Sequence, residues 1–153
     1  MHRYEARVAW KRDGAKFTDL RYSRGHEWSF DGGVRVTASS SPASVPAPYS
    51  VVEAIDPEEA LVAAASSCHM LTFLYLAARR GFVVDSYLDD AFGVMEKDAQ
   101  GKLAITRITL RPKIEFSADK TPSAAELEAL HHSAHEECYI ARSIKSEVVV
   151  EAG

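Results

Sequence analysis

Two cysteines, Cys68 and Cys138, stand 70 residues apart in a chain of 153. A thiolate can attack an electrophile or hold a metal, whereas a thiol buried among apolar groups stays protonated and inert. Cys68 falls in the middle of "DPEEALVAAASSCHMLTFLYLAARRG", residues 56–81, which has the pattern of a helix. A mid-helix thiol gains little from the helix dipole. Its activation must come from a cation or a directed hydrogen bond elsewhere, and His69, Arg21, Arg24 and His135 are the candidates. Cys138 follows "HHSAHEE" and falls at a helix end, where a turn can carry it toward a partner. The difference suits a division of labour in which Cys68 attacks and Cys138 resolves. The alternative is two unrelated buried thiols, a common fate of free cysteine. Two cysteines at this distance make neither a disulfide framework nor a zinc motif. In a cytosolic protein a disulfide between them would be transient and catalytic rather than structural.

Three histidines lie near Cys138. His131 and His135 are four apart, a spacing that can chelate a metal on one helix face. The flanking glutamate of a zinc protease is missing. Solvated histidines on an amphipathic helix are the plainer reading, and a Cys68/Cys138/His135 metal site is the alternative. His69 adjoins Cys68 but points about 100° away around a helix. It reads as a core histidine as readily as a catalytic one. There is no glycine-rich phosphate loop and no serine nucleophile elbow. The Glu58-Glu59 pair reads first as favourable charge at a helix N-terminus.

These residues need elements to position them. "RYEARVAWK", residues 3–11, alternates apolar and polar residues as a strand does. Asp31-Gly32-Gly33 marks a turn between short runs and predicts a hairpin. Ser39 to Ser50 carries three of the six prolines, which excludes a helix interior or a central strand. An ordered loop or flap is expected there. A helix is predicted from Pro57 to Arg80, with Asp56 as N-cap, Glu59 three residues on, and Gly81 as the stop. It is apolar nearly all round, so burial on most sides is expected.

Residues 82–117 read as two long strands turning at Asp98–Gly101, with Pro112 at an edge or bulge. Ser123 and Glu126 form a capping box for a helix from about Ala124 to Glu137. Leu127, Leu130, His131 and Ala134 share one face of that helix. A last strand is expected from Glu147 to Glu151. The order β-β-α-β-β-α-β, undivided by repeat or linker, predicts one α+β domain over 1–153, a long central helix packed on largely antiparallel sheets.

Composition narrows the class. The chain is 46% hydrophobic and 26% charged with a net charge of −4, ordinary for one folded domain. No Lys/Arg cluster stands out, so nucleic acid is not an expected partner. Ala60 to Ala78 is 19 residues without a formal charge and long enough to span a bilayer. Its many Ala, Ser and Thr and the central His69 favour a buried helix over a membrane span. The N-terminal "MHRYEARVAWKR" has no apolar signal region, so a cytoplasmic location is expected.

The chain resembles the OsmC/Ohr family, the osmotically inducible protein C and organic hydroperoxide resistance proteins. "DPEEALVAAASSC" is similar to that family's acidic helix start and small-residue run ending in cysteine. "CYIARSIKSEVVVE" is similar to its second cysteine, turn and final strand. The resemblance implies an intertwined homodimer with sites at the subunit interface. It also implies a thiol peroxidase acting on organic hydroperoxides without a cofactor. In that scheme Cys68 is oxidised to a sulfenic acid, and Cys138 condenses with it to a disulfide. An external dithiol then reduces the disulfide, a lipoyl-type thiol being one candidate. Glu58 matches the family glutamate, and Arg24, with Arg21 second, the family arginine. His69 and Tyr139 replace the hydrophobic residue and the proline that many members carry after the two cysteines. A non-enzymatic dimer that binds a small apolar ligand or a metal is the competing function. Ten helical residues rise about 15 Å, so a catalytic Glu58 would have to reach the Cys68 of a second copy.

Overall fold

The computed structural model describes residues 1–117 and 119–151. The chain divides into two compact units, Met1–Ala60 and Leu61–Gly153. In the first, β1 (Ala6–Ala9), β2 (His26–Phe30) and β3 (Arg35–Ala38) form an antiparallel sheet in that order. The predicted hairpin joins β2 to β3. It turns at Gly33, whose φ of +92° suits a residue without a Cβ. The first strand is shorter than its alternating pattern suggests. After Ala9 the chain turns into a loop gathered around Trp10, Phe17 and Tyr22, whose ring centroids lie 4.7–5.9 Å apart. The proline-rich segment is irregular but tied down. The Val51 N–H donates to Ser39 Oγ at 2.9 Å, and the Arg24 N–H to the Tyr49 carbonyl at 2.9 Å.

Helix α1 spans Pro57–Arg79. Asp56 accepts from the Glu59 N–H at 2.8 Å and so satisfies a donor that the helix leaves free. The helix stops one residue earlier than predicted. The Phe82 N–H bonds the Ala77 carbonyl at 3.0 Å across Gly81, whose φ is +82°.

The second unit corrects the strand count. The two long strands are four: β4 (Val84–Asp89), β5 (Phe92–Lys97), β6 (Leu103–Leu110) and β7 (Pro112–Phe116). β4 pairs antiparallel with β7, and β5 with β6, so the chain changes sheets at Asp90-Ala91 and again at Arg111. The corner is stitched by hydrogen bonds. Asp89 Oδ1 accepts from the Arg111 N–H at 2.6 Å, and Arg111 Nε donates to the Asp90 carbonyl at 2.8 Å. Pro112 opens β7, where a missing N–H is tolerated. Helix α2 (Ala124–Glu137) starts on the predicted capping box. A short helix α3 (Tyr139–Ser143) that the sequence pattern did not suggest follows it. Strand β8 (Glu147–Val150) lies parallel to β6, the one parallel pair among the named strands.

Two apolar clusters fill this unit. Phe73, Ala77, Phe82, Leu130 and Ala134 join α1 and α2 to the β4–β7 sheet. Ala65, Ile108, Leu110 and Val148 join α1 to the β6–β8 side. Helix α1 is thus the central element. Its burial is narrower than expected, confined to Ala65, His69, Phe73 and Ala77, one residue every fourth position. Leu71 and Tyr75, on another face, are 61% and 60% exposed. A single copy does not cover this apolar helix.

Candidate functional site

Helices α1 and α2 bring the two cysteines together. Cys68 is half-buried at the middle of α1, and its carbonyl accepts from Thr72 Oγ1 at 2.9 Å. Cys138 is buried at the joint where α2 ends and α3 begins, with an extended backbone (φ −67°, ψ 114°). Its sulfur caps α3, accepting from the Ala141 N–H at 3.4 Å. Both cysteines are free, and the Cys68 side chain lies close enough to Cys138 to act on its thiol. Burial pushes the Cys138 thiol above its ordinary pKa, and the Cys68 side chain pushes the same way. The Ala141 N–H opposes them. Cys138 is therefore held as a neutral thiol, suited to meet an oxidised sulfur rather than to attack first.

The histidines differ from the plainer sequence reading. Only His132 lies on the solvent side, 3.4 Å from Glu136. His131 is buried, and its Nδ1 stands 3.0 Å from Nε2 of His69. The two rings lie edge to edge and nearly coplanar, with centroids 5.3 Å apart and 11° between planes, and Phe73 stacks on His131 at 4.5 Å. Burial lowers the His69 pKa to about 4, helped by the neighbouring His131 and His135. Burial also lowers His131, while Asp89 pulls it back up. Both rings are neutral at neutral pH. His69 Nδ1 and His135 Nδ1 are buried without a hydrogen-bond partner. Among the described residues no group of three or more His, Cys, Asp or Glu side chains is placed to hold a metal ion. The Cys68/Cys138/His135 metal site raised above is therefore not assembled. This pairing was partly legible, because His69 and His131 each fall on the buried stripe of their own helix.

Arg24 and Glu58 belong to the first unit. The Arg24 guanidinium lies 3.7 Å above the Tyr22 ring centroid, and its Nη1 donates to the carbonyls of Leu20, at 2.8 Å, and Tyr22. Leu20 takes a left-handed backbone (φ +64°) to present that carbonyl, a conformation that costs a non-glycine residue about 1–2 kcal/mol. Arg21 is exposed, which leaves Arg24 as the arginine with a built environment. Glu58 is half-buried, and its Oε2 has no partner. Since α1 is unbroken, Glu58 and Cys68 of one chain are separated by about 15 Å of helix rise.

A groove of about 540 Å³ lies between the second half of α1 and the end of α2. Leu71, Tyr75, Leu76 and Tyr139, the neighbour of Cys138, line it together with the charged Arg80, Glu136 and Glu137. The Leu71, Tyr75, Leu76 and Tyr139 side chains can take an apolar organic group.

Residues 51–153 match the family described as OsmC-like protein. An OsmC-like protein of unknown function from Vibrio cholerae is 50% identical over the whole of both chains, with a TM-score of 0.97. The chain therefore belongs to the OsmC family. Its fold is shared with the organic hydroperoxide resistance protein OhrB of Bacillus subtilis, at 19% identity, 98% coverage of each chain and a TM-score of 0.69. It is also shared with an organic hydroperoxide resistance protein of Elizabethkingia anophelis, at 14% identity, 100% and 98% coverage and a TM-score of 0.72. No curated protein matches the sequence.

Proposed function

We propose that this protein is a thiol-dependent peroxidase that reduces organic hydroperoxides, working as a homodimer in the cytoplasm. The observation that carries the reading is the meeting of Cys68 and Cys138, free thiols from opposite halves of the second unit. The Cys68 thiolate attacks the terminal peroxide oxygen and breaks the O–O bond. The products are a sulfenic acid on Cys68 and an alkoxide, which takes a proton and leaves as the alcohol. The Cys138 sulfur then displaces hydroxide from the sulfenic acid, its own proton completes a water molecule, and the Cys68–Cys138 disulfide forms. An external dithiol, of lipoyl type in our reading, restores both thiols by exchange and carries away the oxidation as its own disulfide.

In this reading Arg24 stabilises the thiolate and the departing alkoxide, and Glu58 of a second copy orients the arginine. The buried Glu58 oxygen without a partner and the uncovered apolar face of α1 support a second copy. No resident cofactor enters any step. The Leu71, Tyr75 and Leu76 side of the groove favours lipophilic hydroperoxides over hydrogen peroxide.

The competing function is a binder of a small apolar ligand whose thiols are idle. Cumene hydroperoxide consumption, with dihydrolipoamide as reductant, separates the two. Wild-type protein turns over, Cys68→Ser abolishes consumption, and Cys138→Ser without the dithiol consumes about one equivalent and leaves Cys68 as a sulfenic acid. Full activity in Cys68→Ser would overturn the proposal.

A further inference from the structure

Cys68 and Cys138 sit on different helices, and the attraction between those helices is mostly apolar. Apolar contact is non-directional, so it presses α2 onto α1 without setting the rotation of one against the other. The sulfurs must meet closely, because a disulfide tolerates only a narrow separation and orientation of its two carbons. Among the described residues one side-chain hydrogen bond crosses this seam. His69 follows Cys68 on α1, and His131 lies two turns before Cys138 on α2. Their ring nitrogens stand 3.0 Å apart and both residues are buried. Moving α2 along or around α1 would break that bond and leave two polar nitrogens unpaired in the core, which is costly.

We propose that the His69–His131 hydrogen bond is the positioning device that holds Cys138 at Cys68. Neither histidine touches the reacting atoms. Each acts through the helix that carries its cysteine. Phe73 stacked on His131 holds the plane of that ring, and the His69 ring lies within 11° of it, so that the bond resists rotation as well as sliding. The consequence for the peroxidase cycle rests on the proposed function. The positioning itself does not, and it can be read without a peroxide.

The experiment equilibrates the protein with reduced and oxidised glutathione and reads the Cys68–Cys138 disulfide by mass. Two protein thiols and one glutathione disulfide give one protein disulfide and two reduced glutathiones, so the constant measures how well the fold holds the sulfurs together. His69→Gln places an amide where Nε2 stood and is expected to stay within about threefold of wild type. His69→Asn, whose amide stops near the Nδ1 position, is expected to lose about tenfold. So is the apolar His69→Leu/His131→Leu double variant, with the thermal midpoint of its reduced form near wild type. The comparison of Gln with Asn stands if the double variant does not fold. A wild-type constant in the Asn variant, or an equal loss in Gln and Asn, overturns the inference. So does a wild-type chain that forms no Cys68–Cys138 disulfide at any glutathione ratio. If the constants behave as stated and no hydroperoxide is consumed, the peroxidase reading fails and the positioning role remains.

Discussion

At the scale of single residues, environment separates side chains of the same type. Two cysteines differ because one is half-buried on a helix and the other is buried at a joint between helices. Three histidines within five positions differ for the same reason, since His131 is buried, His135 half-buried and His132 exposed. The buried pair has a consequence for acid stability. The folded His69 pKa is about 4, below the value near 6.5 expected unfolded. Between these values the unfolded chain binds a proton that the folded chain refuses. Stability is therefore complete above about pH 6.5 and is lost as pH falls toward 4. The loss should be on the order of 2–3 kcal/mol for this residue. His131 and His135 are the ionisable neighbours that lower it further, and Asp89 acts on His131. Urea midpoints at pH 7.5 and pH 4.5 should fall further apart for wild type than for His69→Gln. Equal shifts in the two proteins would mean that the histidine is already charged in the fold.

At the scale of elements, α1 explains most of the second unit. Its buried line carries Ala65, His69, Phe73 and Ala77, so one helix face meets both apolar clusters and the histidine pair. Phe73 is completely buried, and its ring contacts Tyr87 on β4 as well as His131 on α2. Truncation to alanine opens a cavity that this packed seam cannot easily close. Phe73→Ala should cost about 3–5 kcal/mol in chemical denaturation. A loss below about 1 kcal/mol would show that α1 is not clamped there. The elements themselves were largely readable in the chain. Both long helices appear with boundaries within a residue, because Asp56, Ser123, Glu126 and Gly81 are local signals that act on adjacent backbone. The sheet was read less well. The corner at Asp89–Arg111 depends on a carboxylate and an amide 22 residues apart, and no local pattern encodes that meeting. The parallel partner of β6 and the short helix α3 were missed for related reasons. The pairing is long-range, and five residues are too few to show a period.

For the whole molecule, the question is what covers α1. A helix apolar on most sides is buried along one line only, and Leu71 and Tyr75 stand more than half exposed. Its length and hydropathy alone would allow a membrane span, but its central place between two apolar clusters identifies a core helix. A second copy of the chain is the cover proposed here, and it would also supply the Glu58 that an unbroken helix keeps from its own Cys68. Size-exclusion with light scattering should give twice the 16.8 kDa chain mass. Tyr75→Asp should shift the population toward monomer and lower peroxidase turnover at least tenfold. A stable wild-type monomer with full turnover would remove both the dimer and the shared site.

The sequence by itself determined what is local. It marked the caps, the turns, the apolar stripes and the two cysteines, because these act within a few residues of backbone. It also carried the family, through two motifs around Cys68 and Cys138. Tertiary structure alone decided that the two cysteines become neighbours, that His69 finds His131, and that the Arg24 guanidinium rests on Tyr22. The reason is physical. Contacts between residues far apart in the chain follow from how whole helices and sheets pack, and that packing is the sum of many weak, non-directional attractions that no short segment contains.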